Sequence, residues 1–320
     1  MQRSVDGALV VHEKEDAINS LLNLEPRLKE VAQLDVHYVD NIDSTNIKPE
    51  HWNKMADVIY KNYDKYDGFV ITHGTDTMAY TSSALSYVLQ NLGKPVIITG
   101  SQIPGGEIET DARRNFINAV RVAIMDISGV MIVFDEEIIL GSRASKVSES
   151  KLDSFETMNW DLLGEIRVDI RLSEERRPRH NGKLKLQKGF ETNIAVATMF
   201  PGLPARSLDK ILESGIKGLV MLAYGTGNIS YEYLDLMKKA KKKKIPVVVD
   251  TQCLEGATLM HVYDVGKQAL DAGVIQAYDM SMETVITKLM WALKRASYGK
   301  IKKIMHTNYA GEINKEGKIH

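Results

Sequence analysis

Residues 68–78 read Gly-Phe-Val-Ile-Thr-His-Gly-Thr-Asp-Thr-Met. A β-branched apolar run ends at Thr72, Gly74 permits a tight turn, and a helical pattern opens near Thr77. Strand, turn and helix in that order put Thr75 and Asp76 at the carboxyl end of a strand, against a helix N-terminus. Open α/β sheets bind ligands at this edge, where free backbone N–H groups favour an anionic group. A bare Thr-Asp-Thr would be read as helix capping. The full eleven-residue string favours the site.

The alternation continues outward. Short β-branched runs bounded by Gly, Pro, Asn or Asp predict strands over 35–39, 68–72, 95–99 and 130–134, of the kind buried on both faces. Helical patterns fill 49–64, 78–92 and 112–125. In the last, Phe116, Ala119, Val120 and Ala123 recur at i, i+3, i+4 and i+7 and define one buried stripe. Such alternation implies right-handed crossovers and a mostly parallel, doubly wound sheet. The polar stretch 173–189 then interrupts the pattern, as a linker or a solvent-facing hairpin would. Strands resume over 194–200, 218–222 and 247–250. Helices are expected over 207–214, 230–244, 263–272 and 281–295, the last with Ile286, Leu289, Met290 and Leu293 on one face. The expected fold is α/β, with a larger N-terminal domain over 1–175, a linker over 176–192 and a smaller C-terminal α/β domain over 193–320.

Composition narrows the function. Lys+Arg 41 against Asp+Glu 42 gives a net charge of -1, which leaves no electrostatic footprint for nucleic acid or an anionic membrane. The lysine-rich run 238–244 ends a helix before Pro246, where cations favour the dipole. Cys253 is the only cysteine, so an intrachain disulfide and a thiolate metal site are both excluded. No apolar run reaches bilayer length, and residues 1–30 are too polar and acidic for a signal peptide. These features predict a cytoplasmic, metal-independent chain with no nucleic-acid or membrane partner.

The string 68–78 resembles the second signature of the asparaginase/glutaminase family. Asn41-Ile-Asp-Ser-Thr45 is similar to that family's substrate-carboxylate loop, with Ser44 on the matching position. Gly141-Ser-Arg-Ala-Ser-Lys-Val147 resembles the segment that carries its catalytic lysine, here Lys146. Thr99-Gly-Ser-Gln-Ile-Pro104, Thr110-Asp-Ala-Arg-Arg-Asn115, Tyr224-Gly-Thr-Gly-Asn228 and Gly273-Val-Ile with Asp279-Met280 extend the resemblance over nearly the whole chain. The Gly-Ser-Gln form is typical of the family's cytosolic type I branch.

The resemblance implies an amidohydrolase that turns L-asparagine and water into L-aspartate and ammonia through a Thr ester. Backbone N–H groups would stabilise the oxyanion, without a metal or organic cofactor, in a homodimer or homotetramer. It assigns Thr75, Asp76 and Lys146 to a catalytic triad. Ser44, Thr45, Thr75, Asp76 and Asn228 would contact substrate, Asn228 from a neighbouring subunit. The residue types suit these roles. A Thr hydroxyl is a weak nucleophile until a base takes its proton. A Lys is that base once neutral, a state that burial favours and the adjacent Asp76 opposes. An Asp also binds an α-ammonium group. Taken alone, Lys146 reads as a solvated surface lysine and His73 as a packing or hydrogen-bonding residue of the turn.

One motif of the resembled family is missing. Its members begin with a buried strand running into Thr-Gly-Gly-Thr-Ile, whose last Thr carries the acyl group. Here residues 1–10 read Met-Gln-Arg-Ser-Val-Asp-Gly-Ala-Leu-Val, similar from Ser4 to the text that follows that motif, and no Thr-Gly-Gly or Gly-Gly-Thr occurs in the 320 residues. Either Met1 is internal to the true product, or the chain has lost its principal nucleophile. Two rival functions stand beside the hydrolase: the D-type amidase subunit of a Gln-tRNA amidotransferase, and a catalytically silent amino-acid-binding homo-oligomer.

Overall fold

The computed structural model describes residues 25–315 together with Gln2–Arg3 and Leu9–Val10, two short strands that pair antiparallel. The segment beginning at Ser4 lies outside the described residues apart from Leu9 and Val10. Two compact units emerge, one running to Thr157 with Asp161–Lys188 added, the other Met158–Trp160 with Gly189 onward. Among the described residues no helix is long and apolar enough to cross a membrane.

The first unit is built on α1 (Pro49–Lys61), β1 (Phe69–Thr72), α2 (Met78–Val88), β2 (Pro95–Thr99), α3 (Ala112–Ala123), β3 (Gly129–Phe134), β4 (Glu137–Leu140), β5 (Ala144–Lys146), β6 (Phe155–Thr157), β7 (Gly164–Ile166) and β8 (Ile170–Leu172). Its six-stranded sheet has the order β8-β7-β4-β3-β2-β1. The half formed by β1, β2 and β3 is parallel, as crossover helices dictate. The half from β3 to β8 is an antiparallel meander. The reversal follows from one turn: Asp135 takes φ 51°, and Phe134 pairs directly with Glu137.

β2 is wholly buried, whereas β1 is half-exposed at the edge, and among the described residues no strand pairs its outer side. The expectation that 68–72 is covered on both faces therefore fails. The strand expected over 35–39 is absent too: among the described residues no neighbouring strand offers it an edge, Val36 and Tyr38 are exposed, and Asp35 and His37 are tied to the Tyr66 hydroxyl. The polar stretch after β8 is strapped along this unit. Lys185–Leu186 pairs with Leu89–Gln90, Ser128 donates to the Arg177 and Pro178 carbonyls, and the Arg179 guanidinium donates to the carbonyls of Ala123 and Met125.

The second unit holds β9 (Ile194–Thr198), α4 (Ala205–Glu213), β10 (Gly218–Ala223), α5 (Leu234–Lys242), β11 (Val247–Thr251), α6 (Asp264–Asp271), β12 (Ile275–Gln276), α7 (Met282–Leu293) and α8 (Tyr298–Met305). Its four strands are parallel and ordered as in the chain. Strand alternation divides the core in two. Leu219, Met221, Val247 and Val249 face Leu208, Leu212, Leu236 and Met237 of α4 and α5. Val220, Leu222 and Val248 face Val285 and Leu289 of α7 and Ile301 and Met305 of α8. Each such buried side chain contributes roughly 1.5–3 kcal/mol.

The lysine-rich run behaves as a helix end. Lys244 takes φ 57°, the Lys244 N–H donates to the Lys241 carbonyl, and the Ile245 N–H reaches back to Ala240. This Schellman ending satisfies the last carbonyls of α5.

Candidate active site

β1 delivers the chain through His73 and Gly74 into a single 3-10 turn, Thr75–Thr77, from which α2 starts. Gly74 was expected to relieve the backbone, yet its φ is -69°, open to any residue. Space is the reason for glycine here. A Cβ would stand 2.7 Å from Ser44 Oγ and 2.8 Å from Ser44 Cβ. Ser44, 5% exposed, opens its own 3-10 turn, Ser44–Asn46, capped when Asp43 Oδ1 accepts from the Thr45 N–H at 2.9 Å. The Thr45 hydroxyl donates to the same oxygen, so it is engaged in holding its own loop.

The helix-cap reading of Thr75, Asp76 and Thr77 does not survive. Neither the turn nor α2 has a side-chain cap at its N-terminus. Instead, Lys146 comes in from β5. Its Nζ lies 2.8 Å from Thr75 Oγ1 and 2.7 Å from Asp76 Oδ1. The Lys146 side chain is 16% exposed and that of Asp76 57%. The β5–β6 hairpin aims the lysine, since Lys146 pairs with Phe155, whose buried ring packs 5.0 Å from that of Phe134. Lys146 is thus no solvated surface lysine; its Nζ bridges a hydroxyl and a carboxylate.

His73 anchors the turn from behind. Thr81 Oγ1 accepts from Trp52 Nε1–H at 3.0 Å, and its own proton goes to His73 Nε2 at 2.9 Å. That leaves the proton on His73 Nδ1, which donates to the Gly74 carbonyl at 2.6 Å. Burial pushes the imidazole below its usual pKa, so the ring is a neutral strut and not a base. At the same sheet edge, the loop after β2 is gathered by Asp111, whose carboxylate accepts from the N–H groups of Gln102 and Ile103 and from Asn115. Gln102 Nε2 then reaches the Glu149 carbonyl, a short way beyond Lys146.

The first unit therefore brings together Ser44, Thr45, Thr75, Asp76 and Lys146. Asn228 belongs to the second unit, where Tyr224 and Asn228 close a tight loop through mutual backbone hydrogen bonds. Gly225 at φ 46° and Gly227 at φ 90° make that loop possible. Among the described residues Asn228 Oδ1 has no hydrogen-bond partner. Thr77 was missed by the sequence reading; its hydroxyl donates to the Ser44 carbonyl at 2.8 Å. Among the described residues no three His, Cys, Asp or Glu side chains cluster as metal ligands.

Residues 1–178 match the family model "Asparaginase, N-terminal", and residues 193–305 match "Glutaminase/Asparaginase C-terminal domain". The chain belongs to the asparaginase family. It is 38% identical over 291 residues to an L-asparaginase of Thermococcus kodakarensis, covering 90% of this chain and 88% of that one. The D-type subunit of glutamyl-tRNA(Gln) amidotransferase from the same organism is 35% identical over 301 residues, 90% of this chain but 68% of the relative. Among solved structures, L-asparaginase I from Vibrio cholerae superposes with a TM-score of 0.87 at 35% identity, covering 98% of this chain and 95% of that one. The mixed α/β architecture, with its larger N-terminal sheet and its smaller parallel C-terminal sheet, is thus the asparaginase fold.

Proposed function

We propose that the chain is an L-asparaginase, hydrolysing the side-chain amide of L-asparagine to L-aspartate and ammonia. The observation that carries this reading is the bridging position of Lys146, 2.8 Å from Thr75 Oγ1 and 2.7 Å from Asp76 Oδ1. A base at hydrogen-bond distance from a hydroxyl, oriented by a carboxylate, is the arrangement that activates a weak oxygen nucleophile. Ser44 receives the α-carboxylate, on a loop that Thr45 braces through Asp43, and Asp76 receives the α-ammonium group. Neutral Lys146 accepts the Thr proton as the new C–O bond forms, backbone N–H groups stabilise the oxyanion, and the proton leaves with ammonia. Water then cleaves the ester.

The ester oxygen belongs either to Thr75 or to a Thr of the family's Thr-Gly-Gly-Thr sequence, which the 320 residues do not contain. The outer edge of β1, unpaired among the described residues, favours the second arrangement. A further parallel strand added there would end beside Thr75. Asn228, with its unpartnered side-chain oxygen, is assigned to the substrate site of a neighbouring copy in a cytoplasmic homodimer or homotetramer.

Ammonia release from L-asparagine, measured for the 320-residue chain beside one extended upstream in frame, tests the reading. Turnover by the longer chain alone assigns the ester to the added strand, and turnover by the short chain assigns it to Thr75. Binding of L-asparagine without turnover by either sinks the hydrolase and leaves a silent binder. The similarity to the D-type amidotransferase subunit supports a second reading, in which the ammonia is passed on to a partner protein. Stable copurification with a second, different protein chain would favour it.

A further inference from the structure

We infer that Thr77 is a positioning residue that holds the loop of Ser44 in register with Asp76. The inference rests on the reading of Ser44 and Asp76 as the two grips on the amino-acid end of a substrate. Those grips sit on separate 3-10 turns, Ser44–Asn46 and Thr75–Thr77, far apart in the chain. A ligand that spans both is bound well only if their separation is fixed in advance. Among the described residues a single hydrogen bond joins the two turns, from Thr77 Oγ1 to the Ser44 carbonyl at 2.8 Å. Contact does the rest, since Gly74 has no room for a Cβ beside the Ser44 side chain.

Two details separate this role from ordinary stabilisation. Thr77 occupies the N-cap position of α2, where a Thr hydroxyl usually caps its own helix, yet it makes no side-chain cap bond. Its donor is spent across the site. The Ser44 carbonyl also accepts from the Ile47 N–H at 3.0 Å, so removing the Thr77 hydroxyl leaves no buried acceptor stranded. The loss should therefore fall on the alignment of Ser44 and not on folding.

The probe is L-aspartate, titrated calorimetrically into the full chain, with thermal unfolding recorded in parallel. Thr77→Val, nearly isosteric, is expected to weaken L-aspartate about tenfold, equivalent to about 1.4 kcal/mol, with Tm lowered by no more than about 3 °C. Thr77→Ser keeps the donor and is expected to restore the affinity to within about threefold of the unmodified chain, a loss of at most about 0.7 kcal/mol. Unchanged affinity in Thr77→Val overturns the inference. So does a loss of affinity that Thr77→Ser fails to restore, or one that tracks a collapse in Tm in both variants. If the unmodified chain binds no L-aspartate, the amino-acid-binding reading fails, and the inference falls with it. The unmodified chain thus tests the reading, and the two variants test the latch.

Discussion

Each unit carries a lysine paired with a carboxylate at nearly the same distance, and the two pairs stand in opposite surroundings. Lys146 meets Asp76 at 2.7 Å and Lys288 meets Glu312 at 2.6 Å. Lys288 and Glu312 are both 0% exposed. The ammonium also donates to the carbonyls of Met305 and Thr307 at 2.8 Å, and the carboxylate takes the N–H groups of Tyr309 and Ala310. Every donor has an acceptor, so the pair fastens the segment after α8 onto α7. Lys146 and Asp76 stand at an open sheet edge, with Asp76 57% exposed and a Thr hydroxyl as the third member. A lysine saturated by carbonyls holds structure in place, whereas one left beside a hydroxyl is available for chemistry.

The largest effect that would sharpen this contrast is on turnover. Lys146→Met is expected to lower the rate of ammonia release about 10²- to 10⁴-fold, the range of a lost general base. Far-UV circular dichroism and the unfolding midpoint should stay as they were. Residual activity near that of the unmodified chain would make Lys146 a mere ion-pair partner.

Next comes Lys288→Met, which strands the Glu312 carboxylate in the core of the second unit. Breaking a buried pair on one side costs about 3–5 kcal/mol, read from urea unfolding. The double variant Lys288→Met with Glu312→Leu should recover most of that loss, because two packed apolar side chains replace the pair without a desolvation cost. A single variant as stable as the original chain would erase the distinction between the two pairs.

A third carboxylate extends the comparison to pH. Asp250, at the end of β11, is 2% exposed, and burial, reinforced by Glu283, pushes its pKa up to about 7 from 3.8, against one hydrogen bond from the Thr251 N–H. A raised carboxyl pKa means that the folded state holds a proton the unfolded chain releases. This contribution to stability is therefore present at low pH and fades as pH rises from about 4 to about 7. Asp250→Asn keeps an acceptor for Thr251 and cannot ionise. It is expected to gain up to about 4 kcal/mol over the parent at pH 8 and nothing at pH 4. Parallel pH–stability curves for the two proteins would mean that Asp250 is ionised at little cost.

The sequence showed more of the site than of its supports. Thr75, Asp76 and Lys146 were legible because each lies in a string whose spacing is specific, although only the resemblance joined Lys146 to the other two. The tie from Thr77 to Ser44 was not legible, since its acceptor is a backbone carbonyl, which leaves no mark in a sequence. His73 was legible as a hydrogen-bonding residue of the turn, but its partner Thr81 lies along α2 and reads as filler. The parallel half of the first sheet followed from alternation. The antiparallel half depended on Asp135 adopting a left-handed turn, which nothing in its neighbours announced. The strand expected over 35–39 failed for a different reason: its apolar residues suit a strand, but strands need an edge to pair with, and pairing is decided elsewhere in the chain. In α7 the expected stripe is displaced. Val285, Leu289 and Ala292 lie in the core cluster, while Ile286 and Leu293 are partly buried. Lys288 is buried because Glu312 and two carbonyls await it further down the chain, beyond the reach of periodicity.

The smallest expected effect on stability is also the most direct test of the contrast. Asp76→Asn removes one charge of the Lys146 pair but leaves an acceptor of similar shape. Because the carboxylate is more than half-exposed, water screens the pair, and the amide of the variant still offers Lys146 an acceptor. Exposed pairs of this kind contribute about 0–1 kcal/mol, so Tm should move by no more than about 3 °C. If Asp76 is the grip on the α-ammonium group, L-aspartate affinity should nevertheless fall at least about tenfold, which is about 1.4 kcal/mol. A large affinity loss with an intact Tm separates this pair from Lys288–Glu312, where the corresponding change, Glu312→Gln, should unfold the protein more easily. If Asp76→Asn instead melts several degrees lower and binds L-aspartate as before, Asp76 is a structural anchor. The open pair would then be a second fastener, and the difference in exposure would carry no functional meaning.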